Sequence, residues 1–155
     1  MSVVIRLATS DDIPRLAELW HEKMVLWQHA DARFVLPSDA VSRWSQAALV
    51  WLEDERCVIY LAEKQGVIVG FVVGWLQIEP VLIWQPMGVI SEVGLDAHNY
   101  HGGVARSLLQ TIQGWFAERG VENVVAYVPH FYAVEQAFWR SVGAVQLLDV
   151  MWIKS

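Results

Sequence analysis

The chain has 155 residues, the size of one domain, with 55% hydrophobic and 18% charged residues, which is enough apolar material for one core. Its net charge of −6 and the lack of a Lys/Arg-rich run disfavour nucleic acid or an anionic membrane as the main partner, because both need a basic footprint. A lone cysteine, Cys57, excludes an internal disulfide and a cysteine-based zinc site, and it fits a reducing cytoplasm. Nine Trp and a mean hydropathy of +0.32 exceed what one small core readily absorbs; part of the excess reads as a ligand cleft or a subunit interface.

The opening MSVVIRLATSDD has no basic segment followed by an apolar one, so no signal peptide is expected. No apolar run approaches the roughly 18 residues of a spanning helix. Val3 to Leu7 is β-branched and predicts a first strand. Thr9 to Asp12 offers N-cap residues, Pro14 suits a first turn, and Ile13, Leu16, Leu19 and Trp20 repeat at helical spacing. A helix is expected from Asp11 to His21, continuing toward Trp27. Pro37-Ser38-Asp39 opens a second helix, whose face is Val41, Trp44, Ala48, Leu49 and Leu52. Cys57 to Ala62 and Val67 to Gln77 form a hairpin about the turn Lys64-Gln65-Gly66.

Val81 to Trp84 and Met87 to Leu95 supply further strand material, broken by Gln85-Pro86. A polar loop and Gly102-Gly103 precede a helix whose face is Val104, Leu108, Ile112, Trp115 and Phe116, capped by Gly120. Val121 to Val128 predicts a strand, Ala133 to Ser141 a short helix ended by Gly143, and Val145 to Ile153 a last strand. The order β-α-α-β-β-β-α-β-α-β, with no repeat and no linker, predicts one α/β domain over residues 1–155.

The chemistry concentrates in Ile90 to Leu109: a strand, a loop, two glycines, then a helix. The first N–H groups of a helix lack internal partners and, with the helix dipole, form an anion site. Glycine lets a phosphate approach the backbone with no Cβ in the way. Tyr100 to Arg106 can therefore cradle a pyrophosphate, with Arg106 adding charge; equally, Gly102-Gly103 can be a plain turn before a helix. Gly-Lys-Ser/Thr and Gly-x-Gly-x-x-Gly patterns are both missing, which sets aside the P-loop and the dinucleotide fingerprint.

The run Tyr100-His101-Gly102-Gly103-Val104-Ala105 resembles the pyrophosphate motif of the GNAT superfamily of N-acetyltransferases, Gln/Arg-x-x-Gly-x-Gly/Ala. Gly103 and Ala105 match, while Tyr100 stands where Gln or Arg is expected. IRLATSDDIPRLAELW resembles that family's first strand and helix, YLAEKQGVIVGFVVG its central hairpin, and YAVEQAFWRSVGA its last helix. The likeness runs in order along nearly the whole chain.

The resemblance implies an α/β (α+β) GNAT-type domain: a mixed sheet of about six to seven strands, about four helices, and a splay between strands 4 and 5. It implies acetyl-CoA as co-substrate, with the pantetheine arm bonded like an extra strand to the backbone of Val93 and Leu95, across Gly94. Tyr100, His101, Gly102, Gly103, Val104, Ala105 and Arg106 would hold the pyrophosphate. The reaction would be direct attack of a primary amine of a small molecule or peptide. It needs a base, for which Glu92 is the candidate, acting through water, and an oxyanion donor near the Leu95 N–H; the alternative for Glu92 is an ordinary strand glutamate.

The family's acidic tyrosine aligns with Trp139, whose indole cannot supply a proton near neutral pH. Trp139 then packs on the cofactor or belongs to the core. Tyr132, and also Tyr127, are candidates to reach the thiol, or else pack. No metal is expected: His98, His101 and Asp96 are too few ligands. His21 and His29 line the acceptor pocket or lie on the surface, and Trp20, Trp27, Trp44 and Trp51 read mainly as core. A homodimer is expected, with Val81, Leu82, Ile83 and Trp84 facing the partner. The alternative function is an acyl-CoA-binding module with little catalysis.

Overall fold

The computed structural model describes residues 2–77, 86–99 and 102–155. Its strands are β1 (Val4–Leu7), β2 (Cys57–Lys64), β3 (Val67–Gln77), β4 (Met87–Leu95) and β5 (Asn123–Ala126). Its α-helices are α1 (Ile13–Ala30), α2 (Ala40–Leu52), α3 (Val104–Ala117) and α4 (Ala133–Ser141). The sheet runs in the order β1-β2-β3-β4-β5. The first four strands are mutually antiparallel, and β5 lies parallel to β4.

Local chemistry accounts for most element ends. Thr9 and Asp12 form a capping box ahead of α1. Arg6 on β1 fixes that corner, reaching both Asp12 oxygens at 2.8 Å and Glu63 on β2 at 2.6 Å. The Arg6 guanidinium holds the Asp12 carboxyl down at about 2. α1 continues past the expected end to Ala30, where the chain turns extended at Asp31. The hairpin turn places Gln65 and Gly66 at positive φ, 52° and 77°, the geometry of a type I′ turn. Gly120, at φ 74°, lets the chain turn out of α3.

The sheet is covered on both faces. α3 lays Val104, Leu108, Ile112, Trp115 and Phe116 on one face, the stripe expected from their spacing. α1 and α2 cover the other with Ile13, Leu16, Leu19, Trp44 and Ala48, against Ile59, Leu61, Phe71 and Val73. Leu16, Leu19 and Ile112 are fully buried, each contributing about 1.5–3 kcal/mol through removal from water.

Two expectations are corrected. Among the described residues the sheet has five strands rather than six to seven. The missing element is the last strand: residues 144–155 form neither strand nor helix, and their apolar side chains lie exposed. An apolar run has strand propensity but needs an edge to pair with, and this one pairs with none among the described residues. The expected strand Val121 to Val128 is also shorter, as β5. Val81 to Trp84 lie outside the described residues.

Candidate active site

β4 is paired on both sides only in its first half. Met87 to Ile90 pair with Asn123 to Ala126 of β5, and the Tyr127 N–H adds a last bond to the Ile90 carbonyl at 3.1 Å. Beyond that point β4 continues to Leu95 with no partner in β5. The unpaired half of β4 lies where the expected splay between the fourth and fifth strands would begin.

An irregularity in the β3–β4 ladder sits where the opening starts. Gly74 pairs with Ile90 and Val73 with Glu92, so Ser91 has no opposite number. Such a bulge breaks the in–out alternation of side chains. Before it, Ile90 belongs to the α3 face, and a Cβ on Gly88 would meet Phe116. After it, Glu92 meets Trp44, and a Cβ on Gly94 would meet Phe71, both on the α1/α2 face. Val93 and Leu95 pack on the α3 cluster. One extra residue has carried Glu92 across the sheet.

The backbone of this half-strand divides its bonds. The Asp96 N–H donates to the Val69 carbonyl on β3 at 2.9 Å. By alternation, Gly94 also faces β3, whereas Val93 and Leu95 turn their polar groups into the opening. The Val93 carbonyl confirms this, since it accepts from Lys23 Nζ of α1 at 2.8 Å. The main-chain groups expected to bond a pantetheine arm are therefore not spent on the ladder.

Glu92 lies among tryptophans. Trp44 Nε1–H donates to its carboxylate at 3.0 and 3.3 Å, and Trp44 in turn stacks on Trp20 at 5.7 Å. Burial pushes the Glu92 carboxyl up to about 7, against the Trp44 bond and the Lys23 charge, which both favour ionisation. A carboxylate at that level exchanges protons near neutral pH.

Lys23, which sequence reasoning missed, connects three elements. Besides the Val93 carbonyl it approaches Glu135 of α4 at 3.4 Å and lies 4.7 Å from the centre of the Trp27 ring. Burial raises the Glu135 carboxyl, and Lys23 partly offsets this. Trp27 meets Phe34 and Phe131 edge-on, and its buried Nε1 has no partner among the described residues. The signal was a lysine on the inward face of α1, distinguishable only once the sheet is in place.

The remaining candidates separate. Gly103 is the N-cap of α3, with φ at 103°, a conformation that glycine adopts at no steric cost. A Cβ on Gly102 or Gly103 would meet nothing within 4 Å. Val104 is buried, Ala105 partly so, and the exposed Arg106 reaches Ser141 Oγ of α4 at 3.4 Å. Tyr100 and His101 lie outside the described residues.

Tyr132 caps α4 and is half-buried. Trp139 packs against the α3 cluster and edge-on to Phe138. Tyr127 is exposed. Asp96 is buried, bonded to Arg15 at 2.7 Å and to the His98 N–H at 2.9 Å, so it fixes the loop after β4. No group of three metal-ligating side chains occurs among the described residues, and none of their helices is long and apolar enough to cross a membrane.

Comparison with known proteins places this geometry. Several solved structures share the fold at low identity. A tetramutant of the protein BH1408 of Bacillus halodurans is 18% identical with a TM-score of 0.85, covering 98% of this chain and 99% of that one. A ribosomal-protein-alanine N-acetyltransferase of Brucella melitensis biovar Abortus 2308 is 19% identical with a TM-score of 0.74, covering all of both chains. AAC(6')-Iy, in complex with a CoA-linked bisubstrate analogue, is 16% identical with a TM-score of 0.77, covering 100% of this chain and 99% of that one. No curated protein sequence matches. The family model described as acetyltransferase (GNAT) matches residues 15–144, which span both halves of the opened sheet, and the chain belongs to that family.

Proposed function

We propose that residues 1–155 form one acyltransferase domain that moves an acetyl group from acetyl-CoA to a primary amine of a small molecule or peptide. Members of this family use acyl-CoA, and one similar structure, an aminoglycoside N-acetyltransferase, was solved with CoA. The observation that carries the reading is Glu92: a carboxylate near neutral pKa, set by a bulge at the mouth of a half-unpaired strand. The backbone of Val93 and Leu95 suits an extended amide chain, with Gly94 allowing close approach. Gly102, Gly103 and the first N–H groups of α3, through Val104, Ala105 and Arg106, suit a pyrophosphate.

Acetyl-CoA supplies a thioester carbonyl with a thiolate leaving group. The amine nitrogen forms the new C–N bond as the C–S bond breaks. Glu92 takes the ammonium proton, directly or through water, and so makes the nitrogen nucleophilic. The Leu95 N–H stabilises developing charge on the carbonyl oxygen. Lys23, held at the Val93 carbonyl, supplies the positive charge beside the departing sulfur that the indole of Trp139 cannot; Tyr132 is the alternative donor. The acceptor enters on the α1/α2 side, past Trp27 and Phe34.

Calorimetric titration with acetyl-CoA and CoA, followed by free-thiol detection over a panel of amines, tests the reading. Micromolar binding and turnover are expected, with Glu92→Gln lowering kcat by roughly 100-fold or more while acetyl-CoA affinity holds. Absence of binding in folded protein overturns it. Binding without turnover favours an acyl-CoA-binding module, a second reading that rests on Trp139 standing where the family's acidic tyrosine belongs.

A further inference from the structure

Lys23 stands between the two lips of the opening. Its Nζ donates to the Val93 carbonyl on the unpaired half of β4 at 2.8 Å. The same atom lies 3.4 Å from Glu135 Oε1, in the first turn of α4. The two side chains are 15% and 21% exposed, so solvent and salt screen their charges little. The Trp27 ring lies beneath the ammonium, with its centre 4.7 Å away. An ammonium has three donors. Among the described residues Val93 and Glu135 engage two of them, which leaves one for an incoming group.

Two carboxylates act on this ammonium, from different elements and in different ways. Glu92 on β4 senses Lys23 through charge, but its oxygens are bonded to the Trp44 indole. Glu135 makes the close contact, and it does so from the opposite lip. α4 buries none of its residues fully, and its second half rests on the α3 cluster through Phe138 and Trp139. Glu135 therefore ties the first turn of α4 to the lysine that already holds β4. A lysine is a point charge on a flexible stem, and a second anchor keeps that charge at one place in a cleft.

We propose that Glu135 is a positioning residue: it holds the Lys23 ammonium at the unpaired half of β4, so that acyl transfer leaves CoA bound as its thiolate. The inference rests on the acetyltransferase reading and deepens it by naming what stands in for an acid on α4. As the amine nitrogen bonds the carbonyl carbon, the C–S electron pair goes to sulfur. The ammonium proton of the acceptor goes to Glu92. No proton has to reach the sulfur, because the thiolate pairs with Lys23 and Glu135 keeps that ammonium from swinging away. A neighbouring ammonium lowers the pKa of a thiol, so the ionisation of bound CoA reports the contact without any turnover.

Ultraviolet absorbance of the thiolate, followed over pH in the complex of the full chain with CoA, tests this. In the parent the bound thiol is expected to titrate at least about one unit below that of free CoA, a tenfold gain in the thiolate-to-thiol ratio. Lys23→Met is expected to abolish the shift. Glu135→Gln, which keeps the shape of the side chain, is expected to lose most of it while its thermal transition stays near the parent's. Glu135→Asp keeps the charge and is expected to retain more of the shift than Glu135→Gln. Glu92→Gln removes the base and is expected to leave the shift in place. A bound thiol that titrates as in free CoA, or a shift that survives in Lys23→Met or Glu135→Gln, overturns the inference and leaves the acetyl-CoA reading standing. A folded chain that does not bind CoA overturns that reading, and the inference with it.

Discussion

On the α3 face the sheet meets aliphatic side chains and Phe116 at contact distance, and glycines on β3 and β4 make room for them: a Cβ on Gly74 would fall 2.4 Å from Ile112 and one on Gly88 2.8 Å from Phe116. On the α1/α2 face the covering helices add Trp20, Trp44 and Trp51 to their aliphatic side chains, in successive ring contacts that end on Trp75 of β3, and this face holds the ionisable Glu92. The first face is packing alone. The second combines packing with a carboxylate whose burial is tolerated because an indole donor and a nearby ammonium share its charge. The difference teaches that aromatic residues with a polar edge can line a functional cleft and still serve as core.

The comparison is broken most strongly at Trp44. Trp44→Ala removes the centre of the aromatic layer and the donor to Glu92 together. It is expected to cost about 3–5 kcal/mol in a urea unfolding titration. Trp44→Phe is expected to keep most of that stability and still raise the Glu92 pKa, read by carboxyl NMR titration. An unchanged carboxyl signal would show that the indole does not govern it.

A smaller effect distinguishes the charge from the packing. Burial raises Glu92 from 4.5 to about 7, so its protonated form is the one the fold favours. The parent chain is therefore expected to lose stability as pH rises from about 4.5 through 7 and to level off above. The loss is on the order of 2–3 kcal/mol, allowing for the part of the group that meets solvent. Glu92→Gln removes that slope, and at pH 8 the variant should be more stable than the parent though less active. Parallel stability curves for the two chains would refute the buried-charge account.

The smallest effect concerns the glycines. Gly88→Ala drives a methyl into Phe116 and is expected to cost about 1–3 kcal/mol. Gly102→Ala meets open space and should stay within about 0.5 kcal/mol of the parent. Equal thermal shifts in the two variants would remove the distinction between a packing glycine and one that leaves room for a ligand.

The α3 face was legible because it is a local repeat: Val104 through Phe116 declares its own buried stripe, and Lys64-Gln65-Gly66 its own turn. The α2 face was half legible: Trp44 and Ala48 are buried as expected, but Val41 and Leu49 lie exposed. The opening beside β4 was legible only through family resemblance, since no local pattern announces a strand that lacks a neighbour. Lys23 escaped because its partner, the Val93 carbonyl, lies 70 residues away in sequence. Trp44 was read as core, which is correct, yet its bond to Glu92 depends on α2 docking over β4. The C-terminal arm was read as a strand from composition, and composition states that a segment can pair without stating with what. The side of the sheet on which Glu92 lies depends on the unpaired Ser91, and no residue type marks that position.

The chemistry of β4 therefore depends on how many residues it has as much as on which ones. A gene that lost the single codon for Ser91 would still encode Glu92, Val93, Gly94 and Leu95 in the same order. The strand would then run in step with β3, delivering the carboxylate to the aliphatic layer and turning Val93 and Leu95 toward the tryptophans. Point changes in this strand can be sampled by selection one at a time, whereas a one-codon deletion inverts everything downstream of it at once. Strand length at this position is heritable information that a comparison of residue types alone would not register.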